Sequence, residues 1–341
     1  MASLMDRKVE IKILTEITVV IVNYNGIKYI EDCLHSLLSQ RPDTPPFEVV
    51  VVDNASGDGS VSVIEERFPQ VRLIKLEENT GFCKGSNIGI LASDSPYVIL
   101  LNNDTKAEPG FVKALYDAVK RHEKVSECFS VSAKMLMWDR PELLDDAGDR
   151  YCVLGWAYSR GKGKPEADFD RPVEIFASCG GAAIYRRAVL EEIGLLDENH
   201  FAYLEDIDIG YRARICGYRS YFEPSARVLH FGSASTGSRY NAWKTQRAAA
   251  NSVYLLWKNM PFLQLLINFP FLLFGFLVKT FFFCKKRMGI LYVKGLHQGL
   301  KLSFSQKGRA KKVPFCRKNL GNYFAIQMQL YANLFRIIMK T

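Results

Sequence analysis

Three polar clusters in this chain place carboxylates where they can do chemistry. The first is Asn102-Asn103-Asp104, which closes the apolar run Tyr97–Leu101 in YVILLNNDT. That run is short, β-prone and uninterrupted, as in a strand buried on both faces of a parallel sheet. Ligands of open α/β sheets sit beyond the carboxyl ends of the strands. A carboxylate flanked by carboxamides at that place is a hard-oxygen site, suited to Mg²⁺ or Mn²⁺ shared with phosphates. The second cluster is Asp53-Asn54, between the apolar run Phe47–Val52 and the Gly-rich turn ASGDGS (55–60). An aspartate there can accept from a base N–H or a ribose hydroxyl. The third is Glu205, Asp206 and Asp208 in FAYLEDIDIGYRARICG (201–217), whose Leu204, Ile207, Tyr211 and Ile215 share one helical face. Acids complement the positive end of a helix, but three in four residues exceed what capping needs.

Smaller signals accompany these. In ENTGFCKGSNIG (78–89), Gly81, Lys84, Gly85 and Asn87 would bring backbone and a cation close to a ligand. Gly180-Gly181 interrupts the strand-like Ile175–Tyr185 and permits close approach. His230 follows a strand and precedes the polar loop SASTGS (233–238), with Arg239, Lys244 and Arg247 beyond it.

Strands and helices must alternate to position these groups. ITVVIVN (17–23), Phe47–Val52, Val71–Leu76 and the Tyr97 run read as strands, with helices over Ile27–Gln40, over Val61–Phe68 and from the 78–89 loop through Ala92. Such alternation implies right-handed β-α-β units and a parallel sheet. Asn23, Asp53, Asn79 and Asn102–Asp104 then converge on one sheet edge. A helix at Pro109–Arg121 and a strand at Cys128–Ala133 follow. Residues 135–172 have no clean period and read as a hairpin and loop over the site. Beyond them come a helix at Arg187–Ile193 and strands at Tyr218–Phe222 and Arg227–Leu229.

The charge is divided unequally. The first 223 of the 341 residues hold 26 basic and 36 acidic side chains; residues 224–341 hold 19 basic and none acidic. An acid-free region of this length suits a phosphate-rich surface, and its apolar content favours an anionic membrane over nucleic acid, which is not expected as a partner. Phe262–Phe283 is long enough to span a bilayer. Gln264, Asn268, Pro270 and Lys279 interrupt it, so an in-plane helix or two short helices fit equally. Lys285-Lys286-Arg287 supplies a positive flank that favours a cytoplasmic membrane face, with the chain peripheral or holding one C-terminal span. The eight cysteines form no C-x-x-C pair and read as free thiols of a reducing compartment. The N-terminal segment lacks the apolar core of a secretory signal. No G-x-G-x-x-G follows the first strand, which argues against a dinucleotide-dependent oxidoreductase.

VNYNG (22–26), VVDNASGDGS (51–60), ENTGFCKGSNIG (78–89), LLNNDT (100–105) and the Glu205-Asp206 pair resemble the motifs of inverting family-2 glycosyltransferases, in their rhamnosyltransferase-type branch. The resemblance implies a GT-A fold, α/β with a mainly parallel central sheet, over 10–250. Residues 17–105 would form its nucleotide-binding half and 106–250 its acceptor half, with 251–341 a basic, apolar, membrane-associating helical appendage. It implies a nucleoside-diphosphate sugar donor, dTDP- or UDP-linked, with rhamnose the first choice. The acceptor would be a hydroxyl of a glycan or lipid-linked saccharide. Asn23, Tyr24, Asn25, Asp53, Asn54, Lys84, Gly85, Asn87, Asn102 and Asn103 would bind the nucleotide sugar. Asp104 takes the last place of an N-x-D motif and, with His230, would hold the metal. Asp206 matches the general base, supported by Glu205 and Asp208, with Asp208 the alternative base. Trp156, Gly180 and Gly181 would face the acceptor. A membrane-tethered sugar-nucleotide binder without catalysis is the competing reading.

Overall fold

A computed structural model describes residues 15–232 and 241–339. The loop 233–238 and Arg239, along with residues 10–14 of the expected domain, lie outside the described residues.

The first half is a β-α alternation. It comprises β1 (Ile17–Asn23), α1 (Ile30–Leu38), β2 (Phe47–Asp53), α2 (Ser60–Arg67), β3 (Arg72–Lys75), α3 (Gly81–Leu91), β4 (Tyr97–Asn102), β5 (Thr105–Ala107) and α4 (Phe111–Glu123). Strands β3-β2-β1-β4 lie side by side and parallel. Alternate residues of β1 feed two layers: Ile17, Val19 and Ile21 pack with α1 and α4, whereas Val20 packs with Cys83 and Ile90 of α3. This period of two, on strands apolar on both faces, is what a sheet covered on both sides requires. The register sets Asn23 opposite Asp53 and Val22 opposite Asn102, so the polar ends fall on one edge as the sequence implies.

The second half is mixed. It continues through β6 (Cys128–Met137), β7 (Arg140–Asp146), the hairpin β8 (Asp149–Tyr151) and β9 (Ala157–Ser159), β10 (Val173–Ile175), β11 (Ala182–Arg186), α5 (Arg187–Ile193), α6 (Glu205–Ile215) and β12 (Arg219–His230). β11 inserts antiparallel between β4 and β6, and β12 returns parallel to β6. The two strands expected at 218–222 and 227–229 are one strand, bent by a register shift between Glu223 and Arg227. That bend lets β12 pair with β6 along its length and with the short β5 near its end.

Helices α7 (Ala242–Asn259), α8 (Phe262–Lys285), α9 (Gly289–Phe304), α10 (Gln306–Ala310) and α11 (Leu320–Ile338) complete the chain. The division placed between 250 and 251 falls inside α7. A second apolar core joins Tyr151, Tyr211 and Ile215 to Leu255, Leu272 and Leu330, which ties α7, α8 and α11 to the α/β body.

Helix α3 lies so close to β1 that a Cβ on Gly89 would stand 2.3 Å from Val20 Cγ1. Valine is stiff at χ1 and cannot swing away. Gly89→Val is expected to lose about 3 kcal/mol by overpacking, whereas Leu91→Ala, at an exposed position on the same helix, should change stability by roughly 0.5 kcal/mol. Equilibrium denaturation of both variants checks this.

Candidate active site

The strand ends open on a cavity of about 1080 Å³. Tyr24, Asn54, Asn102, Asn103 and Asp104 line it from the first half, and Gly180, Gly181, Glu205, Asp206 and His230 from the second. Residues far apart in sequence thus meet where the edge of the sheet faces α6 and α7.

Beside the cavity runs a buried amide network. Asn23 donates to Asp53 Oδ1 at 2.8 Å and to Ser60 Oγ at 2.9 Å, and accepts from Asn103 Nδ2 at 2.8 Å. Asp53 also accepts from the Ser56 N–H and hydroxyl. Asn23 and Asp53 therefore shape the turn and do not line the cavity. Asn25 accepts from Gly57 N and stays outside as well. Lys84, Gly85 and Asn87, expected on a loop facing the ligand, lie within α3 and away from the cavity. Asn87 instead clamps the Leu196 backbone through both amide atoms, and a Cβ on Gly85 would meet Val22 at 2.9 Å. Asn54 remains at the wall and accepts from Thr80, just before α3.

β5 and β12 bring His230 against Asp104. Its Nε2 is 3.3 Å from Asp104 Oδ1 and 3.4 Å from Asn102 Nδ2, while its Nδ1 is 2.7 Å from Asp145 Oδ2. Burial alone would lower the imidazole, but hydrogen bonds and charge from Asp104 and Asp145 raise it to about 9. Asp145, despite burial, is brought down to about 2, mainly by His230 and Lys162. A carboxylate behind a histidine that faces another carboxylate is the outer-shell arrangement common at metal sites. With the Asn102 amide beside it, the donor set is oxygen and imidazole, which fits Mg²⁺ or Mn²⁺. Lys244 reaches the cavity wall; Arg247 does not, its guanidinium lying over the Phe201 and Trp243 rings.

The acids of α6 are presented by an unusual turn. Phe201, Tyr203 and Leu204 all have left-handed backbones, with φ of 62°, 74° and 66°. The Asn251 amide, from α7, donates to the carbonyls of His200, Ala202 and Tyr203 and holds the turn. Asp206 faces the cavity, and Asp149 at the start of β8 shares a hydrogen bond with it. Burial raises both carboxyls, Asp149 strongly; the hydrogen bond from Asp149 partly offsets the rise at Asp206. Glu205 is raised to about 8 by burial and by the charge of Asp206. Asp146, Asp149 and Cys179 place potential ligand atoms within 4.8 Å of one another. Burial raises both carboxyls, Asp146 to about 6 and Asp149 well above the ordinary carboxylate range.

Two further expectations are corrected. Asp208 does not reach the cavity: its oxygens take Lys258 and Asn259 at 2.8 Å each and Arg212 at 3.1 Å, fully buried between α6 and α7. One residue beyond Ile207, it lies on the far side of the helix from Asp206. Trp156 does not face an acceptor either, since its Nε1 donates to Gly275 O of α8 at 3.2 Å. Gly181 does sit against the site, where a Cβ would press on Asn102 Nδ2 at 3.0 Å. Asp145, Asp149 and Asn251 escaped the sequence reading. The first two lie in an aperiodic stretch, where only the crowding in DDAGD gave a sign, and Asn251 gave none.

Against the effect of burial, the Lys258 and Arg212 cations, with His200 beside them, hold Asp208 well below its ordinary 3.8. Its contribution to stability is thus present above that value and is lost as pH falls through the lower folded value. Asp208→Asn is expected to lose about 3 kcal/mol by leaving buried cations underpaired. Denaturation at neutral pH should show this loss, while wild type and variant converge well below pH 3.8.

The model of glycosyl transferase family 2 matches residues 18–194. The chain is 30% identical over 249 residues, 64% of itself and 77% of the relative, to the N-acetylglucosaminyl-diphospho-decaprenol L-rhamnosyltransferase of Mycobacterium tuberculosis. It is 26% identical over 220 residues, 63% of itself and 74% of the relative, to the glycosyltransferase YwdF of Bacillus subtilis. Among solved structures, the mannosyltransferase PcManGT of Pyrobaculum calidifontis, in complex with GDP-Man and Mn²⁺, aligns at 16% identity. That alignment has a TM-score of 0.52 and covers 92% of this chain and 87% of the other. GalNAc-T7 with UDP, GalNAc and Mn²⁺ aligns with a TM-score of 0.55 at 19% identity, over 72% of this chain and 48% of that one. These likenesses show the GT-A fold. The family match over more than half of the chain, with a matching fold, settles its membership: the chain belongs to glycosyl transferase family 2.

Proposed function

We propose that this glycosyltransferase moves a sugar, rhamnose by first choice, from a dTDP- or UDP-linked donor to a hydroxyl of a glycan or lipid-linked saccharide, with inversion. The observation that carries the reading is that Asp104 and Asp206, from opposite halves of the chain, face one cavity. The relative from Mycobacterium tuberculosis supports rhamnose and a lipid-linked acceptor by its name. The acid-free C-terminal region and the Lys285–Arg287 flank support work at the cytoplasmic face of the plasma membrane.

Asp206 takes the acceptor proton as the new bond forms. The hydrogen bond from Asp149 fixes its carboxylate, and the pair titrates as a unit. Asn54, Asn102 and Asn103 give the donor hydrogen-bonding partners, and Lys244 adds positive charge at the wall. Asp104, with His230 and Asn102, would hold Mg²⁺ or Mn²⁺, which supplies charge neutralisation at the diphosphate. The competing reading, a sugar-nucleotide binder without catalysis, predicts no donor hydrolysis in the absence of acceptor.

Asp206→Asn keeps the shape of the side chain but cannot accept the proton. Transfer should fall by about 10²–10⁴-fold with donor affinity nearly unchanged. Full activity of this variant would place the base elsewhere. Because the ionised carboxylate is the working form and burial raises it, wild-type activity should climb with pH above the ordinary aspartate range. Asp149→Ala should move that rise to higher pH, while Asp149→Asn, which still donates, should leave it nearly in place.

Asp104→Ala should remove the Mn²⁺ dependence of donor binding, read by calorimetry with and without chelator. The thermal midpoint without ligand should stay close to wild type. Mn²⁺-stimulated donor binding at the wild-type level would exclude Asp104 from the metal.

A further inference from the structure

Helix α8 is polar on its inside and apolar on its outside. Its exposed positions from Phe262 to Phe282 are without exception apolar: 262, 263, 266, 267, 269, 270, 271, 273, 274, 277, 278, 281 and 282. Its polar residues, Gln264, Asn268, Lys279 and Thr280, are buried or half-buried. A water-facing helix shows the reverse pattern. An apolar patch of this size calls for an apolar surrounding.

The inward stripe, positions 264, 268, 272, 275 and 279, fixes the direction of the helix. Gln264 accepts from the Tyr211 hydroxyl of α6 at 2.9 Å and donates to Gln327 of α11 at 3.0 Å. Asn268 exchanges two hydrogen bonds with Gln327 at 2.9 and 2.6 Å. A Cβ on Gly275 would meet Leu154 O at 2.3 Å, so the β8–β9 turn lies directly on α8, and Lys279 Nζ stands 5.7 Å from the Trp156 ring centre. The 24-residue helix, about 36 Å long, is therefore fastened to the catalytic body from its first turn almost to its last. To cross a bilayer it would drag α6 and the cavity-lining hairpin into hydrocarbon, where unpaired polar backbone is not tolerated.

We infer that α8 is an in-plane membrane anchor, seated with its apolar outer face in an anionic bilayer surface and holding the active-site cavity at a fixed orientation to the lipid. This deepens the membrane reading above and is independent of the sugar transferred. Two other features agree. On α11, Leu320, Phe324, Met328, Phe335 and Ile338 are exposed, opposite the buried Tyr323, Ile326, Leu330 and Asn333. The exposed run Lys285-Lys286-Arg287 ends α8, in a region without a single acid, which matches anionic headgroups. The β8–β9 hairpin connects the two surfaces: Trp156 is latched to α8, while Ala157, Tyr158 and Ser159 line the cavity.

The test uses full-length protein and preformed vesicles of phosphatidylcholine with or without phosphatidylglycerol. Wild type should float with the phosphatidylglycerol vesicles. Combining Leu266→Ser, Phe269→Ser, Phe274→Ser and Leu277→Ser, all exposed, should weaken this binding by at least about a hundredfold. An unchanged circular dichroism melt shows that this variant is folded. Lys285→Gln, Lys286→Gln and Arg287→Gln together should cut binding to phosphatidylglycerol vesicles by roughly tenfold or more, and binding to phosphatidylcholine little. In inverted membrane vesicles of the expression host, protease added outside should be able to cut on both sides of α8. If the segment on one side is protected as a lumenal one, α8 spans the bilayer and the in-plane anchor is wrong. If wild type ignores both vesicles and is a dimer that the serine variant converts to monomer, the face binds a second copy and the inference also fails. Donor hydrolysis, measured in parallel, reports on the transferase reading alone.

Discussion

The strained turn before α6 is the constraint on which the site depends. Three consecutive-region residues with side chains, Phe201, Tyr203 and Leu204, sit in the left-handed region, at a cost on the order of 1–3 kcal/mol each. The strain persists because one buried amide, Asn251, bonds three carbonyls of that turn, and Cys83 N bonds the Phe201 carbonyl from the other side. Relaxing the turn would rotate the start of α6 and take Asp206 away from the strand ends. Lys258 and Asn259, about two turns along α7 from Asn251, hold the same helix through Asp208. α7 thus fixes both the entry to α6 and that helix itself, and Lys244 near the start of α7 reaches the cavity.

Electrostatics around the cavity divides into two unlike halves. At Asp104, the His230 imidazole lies between two carboxyls, Asp104 and Asp145, which raise it against the effect of burial. At Asp206, burial raises the clustered carboxyls, and hydrogen bonds from Asp149 and the Ile207 N–H partly offset that rise at Asp206 itself. Both environments open on one cavity, whose wall at the strand ends also carries Asn54, Asn102 and Asn103.

The C-terminal helices are tied directly to the site. Tyr211 lies in α6, the helix that carries Asp206, and its hydroxyl bonds Gln264 of α8. Trp156 belongs to the hairpin whose Tyr158 lines the cavity, and it bonds the α8 backbone. Two short mechanical links therefore join the apolar face to the site.

The strands of the first half, their shared polar edge and three of the acids that face the cavity, Asp104, Glu205 and Asp206, were legible in the sequence. The reason is that strands buried on two faces are apolar without a break, and a polar residue at the end of such a run has nowhere to lie but the sheet edge. The sequence by itself also determined the asymmetry of charge and the long apolar helix. Only the tertiary structure decided which of Asp206 and Asp208 reaches the cavity, since two positions along a helix turn a side chain through about 200°. Periodicity does not say which side is inward when both faces are buried. It also moved Lys84, Gly85 and Asn87 out of the site, because a Gly-rich stretch reads as loop until Asn54 and β1 pack a helix there. Asp145, Asp149 and Asn251 entered the site through contacts with residues 48 to 85 positions away along the chain, and Trp156 left it for α8. Such pairings are settled by the packing of whole elements, a long-range physical outcome that no local spacing of residues encodes.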